Sequence, residues 1–104
     1  MMLIAELATA HGGDLALAKE MIDYAAEGGA THVKTQAYEL RSINPSDPQA
    51  EWLKLAHLTE FQHIELNAHA EARGVKYFAS AFDSSSLRDI AARYGLVKIA
   101  STEA

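Results

Sequence analysis

A chain of 104 residues, 49% hydrophobic and 22% charged, has the makeup of a single globular domain and is too apolar for a disordered one. Nine Lys and Arg against fourteen Asp and Glu leave a formal charge of −5 with no basic cluster, which argues against nucleic acid and against an anionic membrane surface as partners. With no cysteine there are no disulfides, thiolate metal sites or cysteine nucleophile, and with no apolar run near the ~20 residues of a membrane helix the expectation is a soluble, cytoplasmic protein.

Leu3–Ala8 reads as a strand. Asp14–Glu27 reads as a helix, with Leu17, Ala18, Met21, Ile22 and Ala25 on one stripe and Gly28-Gly29 as its stop. Thr31–Ala37 is the second strand. Glu39–His57 is one long connection with turn chemistry at Asn44-Pro45-Ser46-Asp47-Pro48. Thr59-Glu60-Phe61-Gln62 has the capping-box pattern and opens a helix with Phe61, Ile64, Ala68 and Ala72 as its expected buried stripe, ended by Gly74. Lys76–Ala79 is a third strand, Ser85–Tyr94 a third helix with Leu87, Ile90, Ala91 and Tyr94 on one face, and Leu96–Ala100 a fourth strand. Strand and helix alternate throughout, which predicts an α/β fold of parallel strands joined by right-handed crossovers, with the helices on one side. A closed barrel needs eight strands and ~250 residues. Four β/α units are half of that, and the sequence stops just past a strand. The expectation is that residues 1–104 form the N-terminal half of a TIM (β/α)8 barrel, truncated.

Strands buried in a parallel sheet are normally apolar along their length. Here Glu6 lies in the first strand, Lys34 and Gln36 in the second and Lys98 in the fourth, with Lys34 and Gln36 on one face by two-residue periodicity. His11, Ser80, Asp83, Ser101 and Glu103 fall just past strand ends, the side where parallel α/β folds carry their chemistry. A Glu6–Lys34 or Glu6–Lys98 ion pair of purely structural purpose is one reading. Against it, two lysines, two serines and carboxylates gathered on one rim suit an anionic substrate, with lysines for charge, serines for hydrogen bonds and a carboxylate for proton transfer. Gly12-Gly13 and Gly28-Gly29 read as turn residues, since no Gly-rich phosphate loop is present. His57, His63 and His69 recur every six residues, ~600° around a helix, so neighbours do not share a face. With no metal-binding spacing they read as surface histidines. His32 reads as packed, and Trp52 and Leu53 are expected to lie over the barrel wall, with a substrate-facing aromatic as the alternative.

Ile4-Ala5-Glu6-Leu7 followed by His11-Gly12-Gly13-Asp14 resembles the opening motif of the sialic acid synthase (NeuB-like) family. Val33-Lys34-Thr35-Gln36 resembles its V-K-F-Q strand, and Glu51-Trp52-Leu53-Lys54 through Leu58-Thr59 the stretch before its third strand. Ala79-Ser80-Ala81-Phe82-Asp83 resembles S-T-P-F-D, and Lys98-Ile99-Ala100-Ser101-Thr102-Glu103 resembles K-I-A-S-G-E. The resemblance covers nearly the whole chain, in order. It implies a (β/α)8 barrel, usually followed by a small antifreeze-like domain that completes the partner's site in a homodimer. The implied reaction condenses phosphoenolpyruvate with an N-acylated aldose such as N-acetylmannosamine, giving a sialic acid-type nonulosonate and phosphate, with a divalent metal (Mn2+ or Mg2+). By the same resemblance Lys34, Ser80, Lys98 and Ser101 bind phosphoenolpyruvate, Glu6 and Gln36 lie on the sugar side, and Glu6 and Glu103 are the catalytic carboxylates. The metal ligands belong to the later half of the family's barrel and match nothing in this chain. Ala10 and Gly12 stand where the family usually has asparagines, and Ala81 where it has proline. The isolated chain is expected to be inactive. Two other readings stand beside this one: a Schiff-base aldolase using Lys98 or Lys34, and a non-catalytic half-barrel fragment that assembles with another chain.

Overall fold

The computed structural model describes residues 2–81 and 98–99. Strand β1 (Ile4–Ala8) leads through helix α1 (Leu15–Glu27) to β2 (His32–Ala37). A single turn of 3-10 helix (Leu40–Ser42) and a short helix α2 (Ala50–Leu55) follow, then α3 (Glu60–Ala72), β3 (Lys76–Ala81) and, in the last described stretch, β4 (Lys98–Ile99). The strands form one sheet in the order β1-β2-β3-β4, and every adjacent pair is parallel. This is the predicted α/β arrangement of sequential parallel units. The expected helix Ser85–Tyr94 lies outside the described residues.

Local chemistry sets the helix starts. The Asp14 carboxylate accepts the Leu17 N–H at 3.1 Å and begins α1. At α3 the capping box is complete. Thr59 Oγ1 accepts the Gln62 N–H at 3.2 Å, and Gln62 Oε1 accepts the Thr59 N–H at 2.8 Å. Thr59→Ala should therefore lower stability by about 1 kcal/mol, while Thr59→Ser should keep nearly all of it; urea unfolding curves of the two variants measure the difference.

Helices α1 and α3 cover one face of the sheet. Ala18 and Ile22 from α1 and Leu66 and Ala70 from α3 meet Leu7, Val33, Val75 and Tyr77, with Leu58 closing the cluster. Across the helix pair, Lys19 Nζ reaches Glu65 Oε2 at 2.9 Å, and Asp23 Oδ1 takes both His69 Nε2 at 2.8 Å and Arg73 Nε at 2.7 Å.

Four expectations do not hold in the structure. The buried stripe of α3 is His63, Leu66 and Ala70, whereas Phe61 is 83% exposed and Ile64, Ala68 and Ala72 are exposed too. Phe61 and His63 are two residues apart, ~200° around a helix, so the stripe sits on the other side. His63 is consequently buried, not a surface residue; its Nδ1 shares a 2.7 Å hydrogen bond with the Tyr77 hydroxyl, which satisfies one polar end of the ring. The long connection is also not featureless, because α2 forms within it. On α1, Leu17 is exposed, and Ala26 instead joins the residues packed on the core.

Candidate functional site

The face of the sheet away from the helices carries the polar residues singled out in the sequence. Val33 and Tyr77 belong to the helix-side core, so Lys34, Gln36, Phe78 and Ser80 alternate onto the other face. The register arranges them in layers across the strands. Glu6, Lys34 and Phe78 stand opposite one another in one layer. Gln36 and Ser80 stand opposite in the next, two residues nearer the C-terminal ends of the strands, and Lys98 is Ser80's backbone partner on β4. Ser101, Glu103 and Asp83 lie outside the described residues.

Glu6 and Lys34 form a direct ion pair between Oε1 and Nζ. The two ends are unequally placed. Lys34 is only 7% exposed, whereas the Glu6 side chain is 46% exposed. Glu6 uses its second oxygen locally, accepting the Ala8 N–H at 3.1 Å. The register slips between Glu6 and Ala8, leaving Leu7 as the extra residue of a bulge, and Ala8 has φ 49°, a left-handed conformation that costs a non-glycine residue ~1–2 kcal/mol. The bulge occurs at the strand end where parallel α/β folds place their chemistry. Glu6 therefore bridges a buried ammonium on β2 and a strained turn at the end of its own strand.

The asymmetry makes a testable statement about stability. Removing Lys34 leaves a carboxylate that water already reaches, whereas removing Glu6 leaves an unpaired buried ammonium. Lys34→Met should leave stability unchanged or raise it by about 1 kcal/mol, and Glu6→Ala should lower it by roughly 3 kcal/mol; chemical denaturation of both variants at pH 7 measures the contrast.

Beyond β1 the chain makes a tight turn through Thr9–Asp14. His11 is buried within it and accepts the Gly13 N–H on Nδ1 at 3.0 Å. Burial lowers its pKa below the usual imidazole value, and a hydrogen bond with the Ala8 backbone opposes that shift. With Nδ1 accepting, the neutral ring carries its proton on Nε2. Among the described residues no three His, Asp or Glu side chains gather into a group that could hold a metal ion.

Helix α2 docks on this turn. Trp52 Nε1 donates to Thr9 Oγ1 at 3.0 Å, and the indole edge lies against Gly12. The Leu55 carbonyl approaches Gly13 so closely that a Cβ there would sit 2.1 Å from it. Gly12 and Gly13, with φ of 59° and 80°, are turn residues as expected, and at Gly13 the neighbouring backbone leaves no room for a side chain. Tyr38, at the end of β2, donates its hydroxyl to the Leu53 carbonyl at 2.6 Å and packs edge-on against His57. Burial pushes the Tyr38 hydroxyl up to about 12, so it remains a donor at any working pH. Trp52 therefore lies on the β1–α1 turn rather than spreading over an outer wall. His32 is half-buried with its ring edge-on to Phe78.

On the helix side, Thr35 Oγ1, the Tyr77 hydroxyl and His63 Nδ1 form a buried chain of 2.7 Å hydrogen bonds. His63 Nε2 has no hydrogen-bond partner among the described residues. The sequence signal that was available for this network is Thr35, a hydroxyl in an otherwise apolar row with Val33 and Ala37.

A parallel sheet with helices on one face and a paired lysine and carboxylate on the other defines a β/α scaffold whose polar layers lie on the face the helices leave open. The chain belongs to the NeuB family, whose family model matches residues 21–104. Among its relatives is the N,N'-diacetyllegionaminic acid synthase of Legionella pneumophila, 33% identical over 100 residues that cover 82% of this chain and 28% of that enzyme. The enzyme of the same name from Campylobacter jejuni is 31% identical over 101 residues, covering 83% of this chain and 30% of that one. The crystal structure of the N-acetylneuraminic acid (sialic acid) synthetase of Leptospira borgpetersenii, in complex with citrate, superposes with a TM-score of 0.88 at 33% identity and covers 97% of this chain and 36% of that one. The chain thus spans less than a third of the two curated relatives' length. No helix among the described residues is long and apolar enough to cross a membrane.

Proposed function

We propose that this chain is the N-terminal part of a sialic acid-type synthase barrel, condensing phosphoenolpyruvate with an N-acylated aldose and releasing phosphate. The observation that carries the reading is the buried Lys34 ammonium on the inner sheet face, held by Glu6 and standing one layer below Gln36 and Ser80. A lysine in that position costs several kcal/mol to desolvate and serves an anion better than it serves stability. In this reading Lys34 and Lys98 take the negative charge of phosphoenolpyruvate, and Ser80 and Ser101 donate hydrogen bonds to it. Glu6 and Gln36 receive the hydroxyl and amide groups of the sugar. Phosphoenolpyruvate C3 bonds to the aldehyde carbon, a water oxygen bonds to C2, and the C2–O bond to phosphate breaks. Glu103 takes one water proton, the departing phosphate takes the other as the C2 keto group forms, and the aldehyde oxygen gains a proton. The names of the Legionella and Campylobacter relatives favour an acceptor whose product carries two N-acetyl groups, beside N-acetylmannosamine. A soluble cytoplasmic homodimer with a divalent ion belongs to the same proposal.

The test is phosphate release with phosphoenolpyruvate, Mn2+ and either acceptor. The 104-residue chain alone should give no multiple turnovers, because most of the barrel wall that excludes water is absent from it. A polypeptide in which residues 1–104 replace the matching segment of the Legionella synthase should turn over. In it, Lys34→Ala should cut kcat/KM for phosphoenolpyruvate at least about tenfold, the worth of one charged hydrogen bond, and Glu6→Ala should chiefly raise KM for the sugar. Trapping of a lysine adduct by borohydride with a keto-acid would instead favour a Schiff-base aldolase.

A further inference from the structure

Trp52 is the only tryptophan in the chain, and its ring is fixed from two directions while remaining 41% exposed. Its N–H is committed to Thr9, three residues past Glu6, and its far edge rests on Gly12. The turn beneath is itself rigid, because His11 accepts the Gly13 N–H and the Leu55 carbonyl closes on Gly13. Trp52 thus has its polar atom satisfied and its edges pinned. What it offers outward is aromatic surface beside the strand end that carries Glu6. A core residue would be covered, and a merely tolerated surface tryptophan would not be anchored at both ends. An aromatic plate fixed in advance loses little entropy when a ligand lies on it. The C–H bonds of an acyl methyl or of a sugar's apolar face suit such a plate; a charged or fully hydroxylated group does not.

We infer that Trp52 is a specificity residue for the acceptor, packing its indole against the acyl methyl of an N-acylated aldose at the rim beside β1. The inference rests on the function proposed above and assigns one contact within it. Gly12 is part of the same device, since any side chain there would meet the indole 3.0 Å from its Cβ and displace the plate.

Ligand-observed NMR on the 104-residue chain tests this with N-acetylmannosamine as probe, mannose as the unacylated control and phosphoenolpyruvate as a separate ligand. The acetyl methyl line of N-acetylmannosamine should move upfield on binding, the signature of an aromatic ring facing it, and mannose should bind at least tenfold more weakly. Trp52→Phe keeps a ring and should weaken N-acetylmannosamine about threefold. Trp52→Ala should weaken it about tenfold and abolish the upfield shift, with phosphoenolpyruvate binding unchanged in both variants. N-acetylmannosamine binding without a methyl shift, or equal affinity for Trp52→Phe and wild type together with equal affinity for mannose, would overturn the role of Trp52 while leaving the proposed function standing. Phosphoenolpyruvate binding without any sugar binding would overturn it as well. Binding of neither ligand would overturn the role of Trp52 too, and turnover of the joined Legionella polypeptide then decides the proposed function separately.

Discussion

Gly13→Ala should lower the stability of the chain by about 3 kcal/mol, a drop of roughly 15 °C or more in Tm. Two effects add. The residue has φ 80°, where an L side chain costs ~1–2 kcal/mol. In addition, the new methyl would lie 2.1 Å from the Leu55 carbonyl oxygen, so α2 must shift off the turn. Gly29→Ala separates the two effects. That residue has φ 90°, but nothing lies within 4 Å of its added Cβ, so only the backbone cost of about 1 kcal/mol should appear. Thermal unfolding followed by circular dichroism measures both variants. Equal losses would show that α2 does not close on the β1–α1 turn in solution.

Acid should weaken the fold through His63. Burial, with smaller contributions from His57 and His11, lowers its pKa from the usual 6.5 to about 4. Between those two values the unfolded chain binds more protons than the folded one, so stability rises with pH across the window. The contribution is fully present above pH 6.5 and is lost progressively as pH falls toward 4. About 2 kcal/mol should be gone by pH 5, and roughly 3 kcal/mol by pH 4. His11, also shifted down by burial, acts in the same direction. The His63 ring is held neutral by its surroundings: Nδ1 faces the Tyr77 hydroxyl, and among the described residues Nε2 has no acceptor and no carboxylate offsets a charge there. His63→Gln removes the titration. Urea midpoints at pH 7.5 and 5 should converge for that variant relative to wild type, and an undiminished pH dependence would assign the acid sensitivity elsewhere.

The fold was legible because its signals are local and repeated. Helices α1 and α3 each have a capping residue, Asp14 and Thr59, and each is followed by glycine and then a strand. The Glu6–Lys34 pair was legible because charges in a parallel strand stand out against their neighbours. The packing face of α3 was not legible, because Phe61 and Ile64 outweigh His63 on any hydropathy scale. What turned the helix was a hydroxyl from β3, Tyr77, waiting for the imidazole. Helix α2 was hidden for a related reason. Six residues carry too little periodicity to register, and Pro45 and Pro48 just ahead of it argue for loop. Its place is fixed by tertiary contacts with Thr9, Gly12, Gly13 and Tyr38, none of them near in sequence.

In the sheet, spatial order repeats chain order, from β1 to β4. Every strand after the first therefore has its neighbour already synthesised when it emerges. β2 begins 28 residues after β1, a delay of a few seconds at ~5–20 residues per second of translation. Over that interval α1 can form and wait with its apolar stripe uncovered, and β2 then closes the first parallel pair without a competing strand downstream. A sheet with a later strand inserted between earlier ones has to hold an edge open for it. Among the described strands each new one adds beside the one before it, so assembly of β1 to β4 can keep pace with its synthesis.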